Sequence, residues 1–162
     1  EELNMRRTDR EITDPEQMDL FIAQCTCCRL AFADGIYPYI VPMNFAYERQ
    51  QENRIFYFHC ATEGKKLQCM ENNHGAVSFE LDGCHHLKSA ETACQHTFCY
   101  QSIIGYGRIT TVKNTEEKQV ALQKIMQHYT GKVNWTFSEP VLKRTMVLKL
   151  VVKEMHCKMS NG

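Results

Sequence analysis

The run Tyr57-Phe58-His59-Cys60-Ala61-Thr62-Glu63-Gly64-Lys65-Lys66-Leu67 changes character halfway along. From Arg54 to His59, the residues Ile55, Phe56, Tyr57 and Phe58 leave no polar face, which predicts a strand buried on both sides. Beyond it Thr62, Gly64, Lys65 and Lys66 lead to Leu67 and Met70 and stop at Asn72-Asn73, the pattern of a turn opening a short helix. A buried strand therefore carries an imidazole, His59, and a thiol, Cys60, to its end. Helix-start amides, a glycine that permits close approach and two ammonium groups together suit a phosphate. A solvated Lys65-Lys66 pair is the plainer alternative.

Upstream, Arg29 to Ala33 and Tyr37 to Tyr47 are rich in aromatic and branched residues and flank Asp34-Gly35, a pair suited to a hairpin turn. Two antiparallel strands are expected, with the polar run Glu48 to Asn53 as a loop. Pro38 and Pro42 confine the second strand to an edge, or to a place where its amides serve no neighbour. The spare backbone groups of Val41, Pro42 and Met43, with the Asn44 amide, suit the edge of a heteroaromatic ring. Alternatively, Asn44 satisfies local backbone. Earlier still, Thr13-Asp14-Pro15-Glu16 reads as a hydroxyl cap followed by proline and glutamate, opening a helix through Met18, Leu20, Phe21 and Ile22 to about Gln24.

Downstream, Ala76 to Leu81 is a fourth strand, and Asp82 to Cys99 has no clear period, as in a surface excursion or a segment ordered by a partner. Tyr100 to Val112 returns to strand character. Its Gly105 and Gly107 leave room for a bulge or for something lying against the backbone, and Tyr100 and Ser102 share a face by alternation. Their hydroxyls suit a phosphate or a polyol chain, or belong to an ordinary half-exposed strand. Asn114-Thr115-Glu116-Glu117 opens a helix whose Ala121, Leu122, Ile125, Met126 and Tyr129 form one apolar stripe, a packing face. Thr145 to Val152 is a last strand.

The bulk properties narrow the partners. The 162 residues carry 19 basic and 19 acidic side chains, a net charge of zero, so no basic field exists to hold nucleic acid or an anionic membrane. One domain is expected over 1–162, since no repeat or linker divides the chain. Apolar stretches are too short for a bilayer helix, and the charges crowding the first dozen residues do not resemble a secretory signal, so the expected location is the cytosol. Nine cysteines without a compact disulfide spacing fit a reducing compartment. Cys25, Cys27 and Cys28, with Cys94, Cys99, His85 and His86, have the donor chemistry for zinc, but the Cys25/Cys28 spacing has no matching second pair. Free buried thiols, and no metal, are the expectation.

Four segments in order resemble the markers of one family. They are Met5-Arg6-Arg7-Thr8-Asp9-Arg10-Glu11-Ile12, Pro38-Tyr39-Ile40-Val41-Pro42-Met43-Asn44-Phe45, Tyr57 to Lys66, and Tyr100-Gln101-Ser102-Ile103-Ile104-Gly105-Tyr106-Gly107-Arg108. They resemble the nitroimidazole-resistance branch of the pyridoxamine 5'-phosphate oxidase-like, FMN-binding split-barrel proteins, from about Met5 to Lys158. The resemblance implies a mainly β fold with flanking helices, a six-stranded antiparallel Greek-key split barrel. It also implies a homodimer with FMN, or FAD, in clefts between subunits. By the same resemblance Thr62 to Lys66 meet the phosphate, Val41, Pro42, Met43 and Asn44 line the ring, and His59 stands near the reactive face. The chain departs from the family at Cys60, where serine is usual, and at Lys65, where arginine is frequent, so that a two-pronged grip becomes a point charge.

The activity this implies is a flavin-dependent reductase passing electrons from a reduced nicotinamide to a small planar acceptor such as a nitroimidazole. His59 would be a proton donor, or only a hydrogen-bonding contact. A flavin-binding or sensing module without catalysis is the rival from another class. Pyridoxamine-phosphate oxidase itself is weaker, because no arginine-rich signature for an anionic substrate is present.

Overall fold

The structure, a computed structural model, describes residues 6–161, so Met5 of the first marker segment lies outside the described residues. The short β1 (Glu11–Ile12) precedes α1 (Pro15–Gln24). The cap of α1 is Asp14 rather than Thr13: its carboxylate accepts from the Glu16 amide at 3.0 Å. Pro15 at the first helical position has no N–H to offer, so the capping group must reach the next amide, and the residue directly before the proline does so.

The strands that follow are β2 (Cys28–Phe32), β3 (Tyr39–Met43), β4 (Phe45–Gln50) and β5 (Asn53–Ala61), then α2 (Lys65–Asn72), β6 (Ala76–Lys88) and β7 (Thr97–Thr111). The helices α3 (Thr115–Thr130) and α4 (Glu139–Arg144) lead to β8 (Thr145–Ser160). All pairings are antiparallel, in the order β3-β2-β6-β7-β8-β5-β4, with β1 added on β8. The single strand expected over Tyr37 to Tyr47 is two half-strands that part at Asn44. One half pairs with β2 and the other with β5, so the two ends of the sheet are joined through the chain itself. Counted as one bent strand, β3 and β4 complete a split barrel with β2, β5, β6, β7 and β8. The proline expectation is met, since Pro42 lies in β3, which pairs on one side only.

Three other readings are corrected. Glu48 to Asn53 is not a loop: β4 runs to Gln50 and turns through Gln51, at φ 56°, straight into β5. Its polar residues mark an exposed edge, where Arg49 pairs with Asp19 and Glu48 with Lys124. Asp82 to Cys99 is mostly strand, the outer arms of the β6-β7 hairpin beyond the reach of β2. From Cys84 to Phe98 no residue is buried, so burial imposes no period on that part of the sequence. Finally, β8 continues past Val152 to Ser160, because a bulge at Lys153, opposite the Tyr106-Gly107 step, breaks its alternation.

Both faces of β5 are covered, as its apolar run predicts. Phe56, Phe58 and Cys60 face the barrel interior, where the Phe56 ring lies 4.9 Å from Tyr47, 5.1 Å from Phe79 and 5.7 Å from Phe45. Ile55 and Tyr57 face outward onto Ala121, Leu122 and Ile125 of α3 and Leu142 of α4. Truncating fully buried Phe56 to alanine is expected to cost about 3–5 kcal/mol. The glycine readings resolve as packing and bulge. A Cβ on Gly105 would come within 2.5 Å of the Phe79 ring, and one on Gly107 would collide with the Val151 carbonyl beside the bulge. No helix among the described residues is long and apolar enough to cross a membrane.

Candidate functional site

The kink at Asn44 opens a wedge in the barrel wall. Phe45 is the first residue of β4 and pairs with Phe58 of β5, whereas β3, just before it in the chain, is joined to β2. Continuing the β4-β5 register by one step would set Asn44 against His59, but the strands have already separated. The result is an open cleft of about 420 Å³ lined by Pro42, Met43, Asn44, His59, Cys60, Ala61, Lys66, Arg144 and Thr145. That volume falls in the range of small-ligand pockets.

Each wall has a local cause. His59 and Cys60 are delivered by β5, whose other neighbour, β8, pairs His59 with Val147 and Ala61 with Thr145. Lys66 stands in the first turn of α2, where Gly64 is the N-cap at φ 133° and no side chain caps the amides. A Cβ on Gly64 would meet nothing within 4 Å, so the space in front of that turn is open. The Lys66 ammonium lies 3.1 Å from the Met43 sulfur, a weak acceptor.

Electrostatically the cleft is one-sided. Lys66, Arg144 and His59 line it and no carboxylate does. Crowding by the walls, and then the charge of Lys66, lowers the His59 pKa, which favours the uncharged ring, an N–H donor. Burial also raises the Cys60 thiol against the opposing effect of Lys66, which keeps it protonated.

Of the residues singled out in the sequence, Pro42, Met43, Asn44, His59, Cys60 and Lys66 come together here. Val41 packs on the barrel core, while Thr62 and Gly64 occupy the exposed turn beyond the cleft. Lys65 points elsewhere: its ammonium is 2.6 Å from Asp34 and 5.2 Å from the centre of the Tyr39 ring. Tyr100 and Ser102 are not part of this cleft. They pair with Ser160 and Lys158 at the far end of β8 from Thr145 to Val147, on the order of 40 Å of strand away. Arg144 and Thr145 were not singled out from the sequence. They precede or open β8, and only the pairing of β8 with β5 carries them to the cleft. Among the described residues, no group of three His, Cys, Asp or Glu side chains is placed to hold a metal, and all nine cysteines are free.

An antiparallel barrel split at a strand kink, with a cationic cleft at the split, defines a protein of the split-barrel class. The chain matches the family model of pyridoxamine 5'-phosphate oxidase over residues 14–159, and it belongs to that family. It is similar to the structure of a candidate 5-nitroimidazole antibiotic resistance protein from Bacteroides thetaiotaomicron VPI-5482, with 30% identity, 92% of this chain and 86% of that chain covered, and a TM-score of 0.80. The flavocytochrome Anf3 of Azotobacter vinelandii shares the fold at 16% identity and TM-score 0.77, over 98% of this chain and 73% of that one. So does an FAD and heme binding protein of Mycobacterium smegmatis, at 17% identity and TM-score 0.76, over 94% and 74%. No curated protein matches.

Proposed function

We propose that this protein binds a flavin nucleotide, FMN or FAD, in the cleft at the Asn44 split and uses it to reduce a small planar acceptor such as a nitroaromatic, with a reduced nicotinamide as donor. The observation that carries the reading is the cleft itself, which joins an unpaired cationic end to a strand edge with free backbone groups. The first suits a phosphate and the second a ring system with alternating donors and acceptors. Family membership and the nitroimidazole-resistance relative agree with it.

A bound flavin supplies the redox chemistry, and the chain's share is orientation and electrostatics. Lys66 and the open first turn of α2 neutralise the phosphate. Pro42, Met43 and Asn44 hold the ring edge, and His59 offers an N–H towards the reacting face. The homodimer reading is supported by Ile104 and Val151, which leave 52% and 41% of their surface exposed on the outer sheet face. In such a dimer Tyr100 and Ser102 would serve the partner's cleft, since they are remote from their own.

A second reading is a flavin-binding or sensing module without turnover, and the lowered His59 pKa, which makes a protonated ring scarcer at neutral pH, is in keeping with it. The decisive experiment releases the chromophore of freshly purified protein by heat, identifies it by mass, and then titrates the holoprotein anaerobically with NADH and NADPH. A flavin that is bleached and re-oxidised by a nitroimidazole supports the reductase. A flavin that no nicotinamide bleaches supports the module, and protein that neither carries nor takes up flavin ends both readings.

A further inference from the structure

We propose that Arg144, acting with Lys66, is the phosphate-holding pair of the cleft, and that Lys65 takes no part in it. The proposal rests on the flavin-nucleotide reading and assigns the residues that recognise its anionic end.

The backbone places Arg144 for this role. The β5-β8 ladder ends at Ala61 opposite Thr145, and one further step in the same register sets Arg144 against Thr62, the first residue of the turn into α2. Two segments remote in sequence thus each deliver a cation to the lining of one cleft, Lys66 from α2 and Arg144 from the close of α4.

The side chains are prepared for an anion as well. The Arg144 Nε donates to the Pro140 carbonyl at 3.3 Å, which anchors the base of the guanidinium. Its two terminal nitrogens make no hydrogen bond or ion pair within the described chain, so both prongs of the fork remain available. That is the geometry that matches two oxygens of a phosphate. Lys66 has only the Met43 sulfur, and neither cation has a carboxylate within ion-pair distance among the described residues. Two unpaired cations lining one cleft leave it with a positive charge that an entering anion would neutralise. Lys65 differs on each point: its charge is matched by Asp34 at 2.6 Å and it is held over the Tyr39 ring, outside the cleft.

The test measures flavin affinity by fluorescence quenching with two probes, FMN and riboflavin, which differ only by the phosphate. Flavin-stripped wild type is compared with Arg144→Ala, Arg144→Lys and Lys65→Ala, with circular dichroism and thermal melts to show that each variant is folded. Arg144→Ala is expected to weaken FMN roughly 10- to 100-fold while leaving riboflavin within about twofold. Arg144→Lys should recover part of the loss, and Lys65→Ala should shift neither probe beyond about twofold. The proposal is overturned if Arg144→Ala leaves FMN affinity unchanged, if it weakens both probes alike, or if Lys65→Ala reproduces the FMN-selective loss. Wild type that binds neither probe defeats the flavin reading instead. The anion pair is then read from inorganic phosphate, which must raise the melting temperature of wild type but not of Arg144→Ala, and failure there overturns it too.

Discussion

The Tyr129 hydroxyl lies 3.1 Å from the amide nitrogen of Phe45 and accepts its hydrogen, while donating 2.9 Å away to the carbonyl of Thr26. Phe45 is the first residue after the split, so a helix side chain fixes the backbone at the point where the barrel wall divides. The preceding residue of α3, His128, adds a ring contact to Phe45 at 4.7 Å and a bond to the Cys25 carbonyl at 2.8 Å. Replacing Tyr129 by phenylalanine keeps the ring and strands the buried Phe45 amide. The expected loss is about 1–2 kcal/mol, read as a lowered urea midpoint with an unchanged slope. A midpoint equal to wild type would show that the amide finds water.

Gly107 tests the packing account of the β7 glycines. A Cβ there collides with the Val151 carbonyl and comes within 3.0 Å of Leu150, so the strands must part. Gly107→Ala should lower stability by about 1–3 kcal/mol whether or not ligand is present. A loss confined to ligand affinity, with apo stability intact, would mean that the glycine serves a bound molecule.

His156 predicts a pH dependence. The Glu154 carboxylate at 3.0 Å, with Glu11 of β1 at 3.1 Å, raises its pKa above the ordinary 6.5. The folded state therefore holds the proton more tightly than the unfolded chain. The stabilisation is complete below about pH 6.5 and fades as pH rises through the higher folded value. Wild type should lose stability between pH 6 and 8 relative to His156→Gln, in denaturant titrations at fixed ionic strength. Parallel curves would remove the histidine from the account.

Cysteine reactivity should follow burial. Burial pushes the Cys25 thiol up to about 12 and raises Cys28 well above the ordinary thiol value, whereas Cys84 and Cys94 are exposed. Iodoacetamide at neutral pH, followed by peptide mass mapping, should modify Cys84 and Cys94 first and reach Cys25 and Cys28 only in denaturant. Early labelling of Cys28 would contradict the closed barrel interior.

For His59 the expected result is that His59→Ala slows acceptor reduction but leaves flavin bound. If the ring donates a proton, the wild-type rate should climb as pH falls through a value below 6.5, the direction in which its pKa is shifted, and His59→Gln should lose that limb. A flat profile in both proteins leaves His59 as a hydrogen-bonding contact only.

The sequence alone determined the elements with a local cause. The apolar run of Ile55 to Phe58 specified a strand buried on both faces, Asn114 and the stripe of Ala121, Leu122 and Ile125 specified α3, and Pro42 specified an edge. Each signal lies within a few residues of what it describes. It also made His59, Cys60 and Lys66 neighbours, because one strand and one helical turn carry them. Only the tertiary structure decided the rest. That Asn44 is a split rather than mid-strand depends on which partner each half-strand finds, and pairing is a non-local property. Arg144 enters the cleft only because β8 lies against β5, and Lys65 leaves it only because Asp34 is at hand, while the placement of Tyr100 and Ser102 at the far end follows from the register along β8. Propensity and periodicity report on a residue's own segment, whereas a site is assembled from segments that the chain brings together only when the barrel closes.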